Sequence, residues 1–101
     1  MRTIVCEQPN QFVAKHTERP LPKPGEALIQ IQRIGLCGTD YHAYRGNQPF
    51  FEYPRVLGHE LAGEIVWVPE GSDEFTVGEL VAVIPYMACG TCIACRRGKT
   101  N

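Results

Sequence analysis

Apolar and polar residues alternate over several short stretches of the chain, and nowhere does a helical period run for long. In "RTIVCE" (2–7) and "FVAKHTER" (12–19) the alternation predicts two strands around the turn "QPNQ". "PLPKPGEA" (20–27) is rich in proline and glycine and breaks any regular element. "ALIQIQRIGL" (27–36) sets Leu28, Ile29, Ile31 and Ile34 among polar residues, as a half-buried strand does. "ELAGEIVWV" (60–68) and "ELVAVIP" (79–85) predict two more strands, joined by the turn segment "PEGSDEFTVG". "CGTDYHAYRG" (37–46) leaves the alternation: Thr39 or Asp40 can cap a short helix, and Gly46 can end it. "NQPFFEYP" (47–54) reads as a loop with aromatic anchors, and from Tyr86 onward the chain is cysteine-rich and irregular. No internal repeat or low-complexity tract interrupts this order. The expected product is a small, mainly β, barrel-like domain with its chemistry on the loops.

Composition narrows the classes. A chain of 101 residues makes one domain, and 44% hydrophobic content suffices for a modest core. Ten basic and 11 acidic residues leave a net charge of −1, so no basic field exists to hold nucleic acid or an anionic membrane. The local "RRGK" (Arg96 to Lys99) reads as a solvated loop. No apolar run approaches the ~18 residues of a membrane helix. "MRTIVCEQPNQ" lacks the apolar core of a secretory signal. The expectation is a cytoplasmic protein.

Five cysteines are many for such a chain, and in that compartment they favour metal over disulfides. "CGTCIAC" places Cys89, Cys92 and Cys95 at two-residue spacings, which lets successive thiolates fold back on one ion; thiolates suit zinc. A structural zinc site needs four ligands. Three are present, which predicts a chain cut short, with 86–101 a partial and loosely held lobe whose zinc is absent or weakly bound. A second pair lies 22 residues apart, Cys37 and His59, at a loop and a strand mouth. A thiolate and an imidazole are half of a catalytic zinc site that keeps one position open. Asp40 can orient the imidazole from behind. Alone, Cys37 reads equally as a small core residue and His59 as a structural histidine; the separate cysteine lobe favours the metal reading of both.

"CGTDYHAYRG", "PRVLGHELAGEIV" and "CGTCIACRRGKTN", in that order and at these separations, resemble the N-terminal catalytic part of the zinc-containing medium-chain dehydrogenase/reductase family, the alcohol dehydrogenases. The resemblance covers essentially the whole chain. It implies a GroES-like β-barrel with short helices and a cysteine-rich zinc lobe. It implies that Cys37 and His59 bind a catalytic zinc, with Glu60 an auxiliary or alternating ligand, and that Cys89, Cys92 and Cys95 bind a structural zinc. Thr39 and His42 match the positions that relay the alcohol proton to solvent, although Thr39 also reads as a helix cap and His42 as a surface histidine. NAD or NADP would bind in a further domain: residues 1–101 hold no G-x-G-x-x-G and no βαβ unit. The family's fourth structural cysteine falls eight positions past the third, beyond Asn101, and Pro69 stands where the family usually has Gly or Ala. The chain by itself is therefore expected to be inactive, and its parent to be a homo-oligomer.

"GNQPFFEYPRVLGHE" and "VAVIPYMACGTCIACRRGKTN" resemble the polyol and sugar-acid branch of that family, of the L-galactonate and L-gulonate 5-dehydrogenase type. The implied substrate is a small polyol or sugar acid. Tyr44, Arg45, Asn47, Gln48, Phe50 and Phe51 form a mixed polar and aromatic loop from which Arg45 could meet a substrate carboxylate, unless it is simply solvated. The competing function is a non-enzymatic GroES-like binding or assembly module, which would have no use for an open thiolate and imidazole pair.

Overall fold

A computed structural model describes residues 1–99. Strands β1 (Arg2–Gln8) and β2 (Gln11–His16) form an antiparallel hairpin about Pro9 and Asn10, with a bulge between Cys6 and Gln8. β2 stops short of the expected residue 19: Thr17 makes the last main-chain bond, to Met1 at 2.9 Å, before the proline-rich segment. The second sheet is antiparallel and three-stranded, in the order β3 (Leu28–Gly35), β4 (Glu60–Trp67), β5 (Leu80–Val83). β5 ends before Pro85, which has no N–H to give to a ladder.

The mainly β, GroES-like expectation holds, but the strands lie in two sheets, and no closed barrel forms among the described residues. One main-chain bridge ties β1 to the segment that leads into β4. The Cys6 amide donates to the Arg55 carbonyl at 2.8 Å, and the Arg55 amide returns the bond at 2.9 Å. The core is thin. Ile65 and Cys6 are fully buried, Val5 and Ala43 nearly so, while Ile34, Leu36 and Tyr41 stay exposed. Burying a side chain the size of Ile65 contributes about 1.5–3 kcal/mol, so so few of them leave the domain dependent on its polar ties.

Helix α1 (Gly38–Tyr44) is held by such ties. The Asn10 amide donates to the Tyr44 carbonyl at 2.7 Å, and the Tyr44 hydroxyl donates to the Asn10 carbonyl at 2.8 Å. Phe12 stacks on Tyr44 with ring centroids 4.8 Å apart. The helix is capped by Cys37 and not, as expected, by Thr39 or Asp40. Asp40 sits inside the first turn, and its carboxylate accepts the Cys37 amide at 3.0 Å, the return half of a capping box. The tail also departs from the irregular expectation. A four-residue helix α2 (Ile93–Arg96) forms after Cys92, whose sulfur accepts the Cys95 amide at 3.5 Å.

Candidate metal centres

Two short segments bring the first site together. Cys37 stands where β3 gives way to α1. The other segment, 53–59, is stitched down on its way to β4: the Tyr53 hydroxyl donates to the Ala43 carbonyl, and Arg55 pairs with Cys6. Gly58 then turns the chain with a φ of 110°, a conformation an L side chain resists, and delivers His59 beside Cys37. The Cys37 Sγ lies 3.3 Å from His59 Nε2. On the far side of the ring, His59 Nδ1 lies 3.4 Å from Asp40 Oδ1. Asp40 is buried; one of its oxygens accepts the Cys37 amide and the other faces the imidazole. A carboxylate can only accept, so the ring proton belongs on Nδ1, and the Nε2 lone pair faces the sulfur. That is the arrangement by which a carboxylate fixes a metal-binding histidine.

The separations fit zinc. With Zn–S near 2.3 Å and Zn–N near 2.05 Å, a tetrahedral S···N edge measures ~3.6 Å and an S···S edge ~3.8 Å. The Cys37 to His59 distance is 3.3 Å. In the lobe, Cys92 Sγ lies 3.5 Å and Cys89 Sγ 3.9 Å from Cys95 Sγ. The ligand atoms of Cys89, Cys92 and Cys95, and those of Cys37, Asp40 and His59, each fall within 4.8 Å of one another. From 84 to 99 no residue is buried, and only Cys95 is half-buried. The lobe's shape therefore rests on its sulfurs and their amide donors rather than on packing. The Cys92 amide donates to Cys89 Sγ at 3.3 Å and the Thr91 hydroxyl at 3.6 Å; in that order they pull the Cys89 thiol down from 9.0 to about 6. A thiol so lowered is ready to ligate at neutral pH.

Other expected site residues are placed differently. Glu60 begins β4 opposite Gly35, and its side chain lies over that glycine, where any Cβ would collide with it. It stands outside the Cys37, Asp40 and His59 cluster. Thr39 and His42 are exposed on α1, three positions apart and so on one face. No hydrogen bond joins their side chains among the described residues. Thr39 shares a cleft of about 220 Å³ with His59; His42 does not line it. Arg45 lines a separate apolar cavity with Ile4 and Phe12, while Arg55, which the sequence reading passed over, lines the cleft with Thr39 and His59. Its signal in the sequence was its place in "YPRVLGHE", four positions before His59.

Known proteins bear on this geometry. L-galactonate-5-dehydrogenase of Escherichia coli K12 is 54% identical over 101 residues, all of this chain and 30% of that protein. The crystal structure of an alcohol dehydrogenase (rspB) from E. coli CFT073, complexed with NADH, superposes with a TM-score of 0.88 at 44% identity, over 99% of this chain and 29% of that one. Galactitol-1-phosphate dehydrogenase from E. coli superposes with a TM-score of 0.83 at 31% identity, over 96% of this chain and 28% of that one. The chain thus spans about a third of the length of these relatives. Residues 23–101 match the family model of the alcohol dehydrogenase GroES-like domain, and the chain belongs to that family.

Proposed function

We propose that this chain is part of a zinc-dependent, NAD- or NADP-linked dehydrogenase that oxidises a secondary hydroxyl of a sugar acid or polyol, and that residues 1–101 alone are inactive. The observation that carries the reading is the Cys37 sulfur facing His59 Nε2 at 3.3 Å with Asp40 behind the ring. The 54% identity to L-galactonate-5-dehydrogenase supports the substrate class. A binding or assembly module would need none of this arrangement.

When bound, zinc would supply Lewis-acid polarisation of the reacting hydroxyl, with Cys37 and His59 holding it. Asp40 keeps His59 in the ligating tautomer and, through the Cys37 amide, fixes the loop that carries the sulfur. The Thr39 hydroxyl, in the same cleft, would relay the proton that leaves the substrate, taking it up as it gives its own proton onward, and His42 on the same helix face would pass that proton to solvent. Cys89, Cys92 and Cys95 would hold a second, structural zinc. The test is turnover of L-galactonate with NAD⁺ or NADP⁺ by a full-length protein carrying this chain. Cys37→Ala is expected to abolish reduction of the nicotinamide. Undiminished activity after that substitution, or after removal of zinc by a chelator, would refute the mechanism.

A further inference from the structure

The cleft that Thr39 shares with His59 contains one arginine, Arg55, whose side-chain donors are uncommitted among the described residues. Arg55 is fixed at its backbone by two hydrogen bonds to Cys6, a fully buried residue. Its guanidinium carbon lies 4.2 Å from the centroid of the Phe51 ring. A cation held over a ring face in this way does not use up its N–H donors. Among the described residues Arg55 makes no ion pair and no side-chain hydrogen bond. The cleft's carboxylate, Asp40, makes no ion pair with the arginine among the described residues; its oxygens face the Cys37 amide and His59. A fork of donors on a stiff support, in one cleft with Thr39 and His59, is built to receive a planar or tetrahedral anion.

The alternatives are weaker. A larger cleft that also reaches His59, about 530 Å³, holds Arg33 and Glu60. Arg33 already donates to the Gln32 carbonyl at 2.8 Å, so its donors are not all free. Arg45 lines the apolar cavity instead.

We propose that Arg55 binds the anionic end group, carboxylate or phosphate, of a polyol-chain substrate whose hydroxyl reacts beside Cys37 and His59. The inference rests on the dehydrogenase reading above and adds to it the end of the substrate that is recognised and the residue that recognises it. Phe51, which lines the same cleft, is the positioning residue against which the guanidinium rests.

The test uses full-length protein and three substrates: L-galactonate, galactitol 1-phosphate and neutral galactitol. Arg55→Gln keeps the stem over Phe51 and removes the charge, which guards against a misfolded Arg55→Ala. The expected result is a rise of ~10- to 100-fold in KM for the preferred anionic substrate, with kcat changing less, because one charge-assisted contact is lost. Arg55→Lys, with charge but no fork, should recover part of the loss. The anion whose KM responds identifies carboxylate or phosphate as the natural end group. A wild-type protein that oxidises L-galactonate or galactitol 1-phosphate, and whose KM is unmoved in Arg55→Gln, overturns the Arg55 assignment and leaves the dehydrogenase reading intact. A wild-type protein that oxidises none of the three overturns both.

Discussion

Replacing Asp40 by Asn separates the two tasks of one buried carboxylate. In the native structure Oδ2 accepts the Cys37 amide at 3.0 Å, and Oδ1 faces His59 Nδ1 at 3.4 Å. Asparagine has one acceptor oxygen and one donor nitrogen in the same space. If the oxygen stays with the Cys37 amide, the new NH₂ points at Nδ1–H, donor against donor. The ring then relieves the conflict by moving its proton to Nε2, the atom that faces the sulfur. A histidine protonated at Nε2 cannot ligate through it. The stability cost is the loss of a charge-assisted bond at a helix start, about 1 kcal/mol, because the capping oxygen itself survives. The cost to metal affinity is larger, ~10- to 100-fold, the usual effect of removing a carboxylate from behind a metal-binding histidine.

Nitrogen-15 spectra of the imidazole test this on the chain itself, since the two neutral tautomers give distinct coupling patterns. Wild-type His59 is expected as the Nδ1–H form and the Asp40→Asn variant as the Nε2–H form. Cobalt titration in competition with a chelator then reads the affinity. If His59 keeps the same tautomer and the same cobalt affinity in the variant, Asp40 does not control the ring, and the reasoning fails.

Other consequences are as direct. Gly63 lies in the middle of β4, where a Cβ would meet the Gln30 carbonyl and Ile29, so Gly63→Ala should destabilise the domain by roughly 1–3 kcal/mol in denaturant unfolding. Cys92→Ala removes a sulfur that accepts the Cys95 amide as well as one proposed ligand. It should lower the zinc bound by the lobe and speed amide exchange in 86–99, while β3 and β4 keep their protection. In zinc-free protein Cys89 should react with iodoacetamide with a midpoint near pH 6, against about 9 for an ordinary thiol, as mass spectrometry across a pH series would show. The sign follows from the lowered value: the amide bonds to the Cys89 thiolate are fully present above pH 9 and are lost as the pH falls through about 6.

The strands were legible because each carries its own signal. "LIQIQRIG" and "ELAGEIVW" alternate, and alternation needs no knowledge of partners. What alternation cannot show is closure. Whether β2 finds a second neighbour depends on contacts far apart in the sequence, and among the described residues it pairs only with β1. The helix α2 was missed for a different reason. Four residues are too few for a period, and its start is set by a cysteine sulfur taking an amide, a cap outside the usual Ser, Thr, Asp and Asn. The cap of α1 was misplaced in the same way: Asp40 was recognised as a capping residue, but it works from within the first turn on the residue before it.

The two candidate metal centres differ in how much of their geometry is local. Cys89, Cys92 and Cys95 lie within one turn and one short helix, so their spacing nearly dictates the 3.5–3.9 Å sulfur separations. Cys37 and His59 are joined by no such local constraint. Their approach depends on the β3–β4 register, which pairs Gly35 with Glu60, and on the stitching of 53–59 to Cys6. The same dependence explains the choice between two arginines. Arg45 is nearer in sequence to the Cys37 loop, but it ends α1 and turns toward the hairpin cavity. Arg55 is further away, yet its two bonds to Cys6 and its stack on Phe51 hold it where His59 and Thr39 open. Nearness to Cys37 along the chain favoured Arg45, while the backbone from Arg55 reaches His59 within four residues.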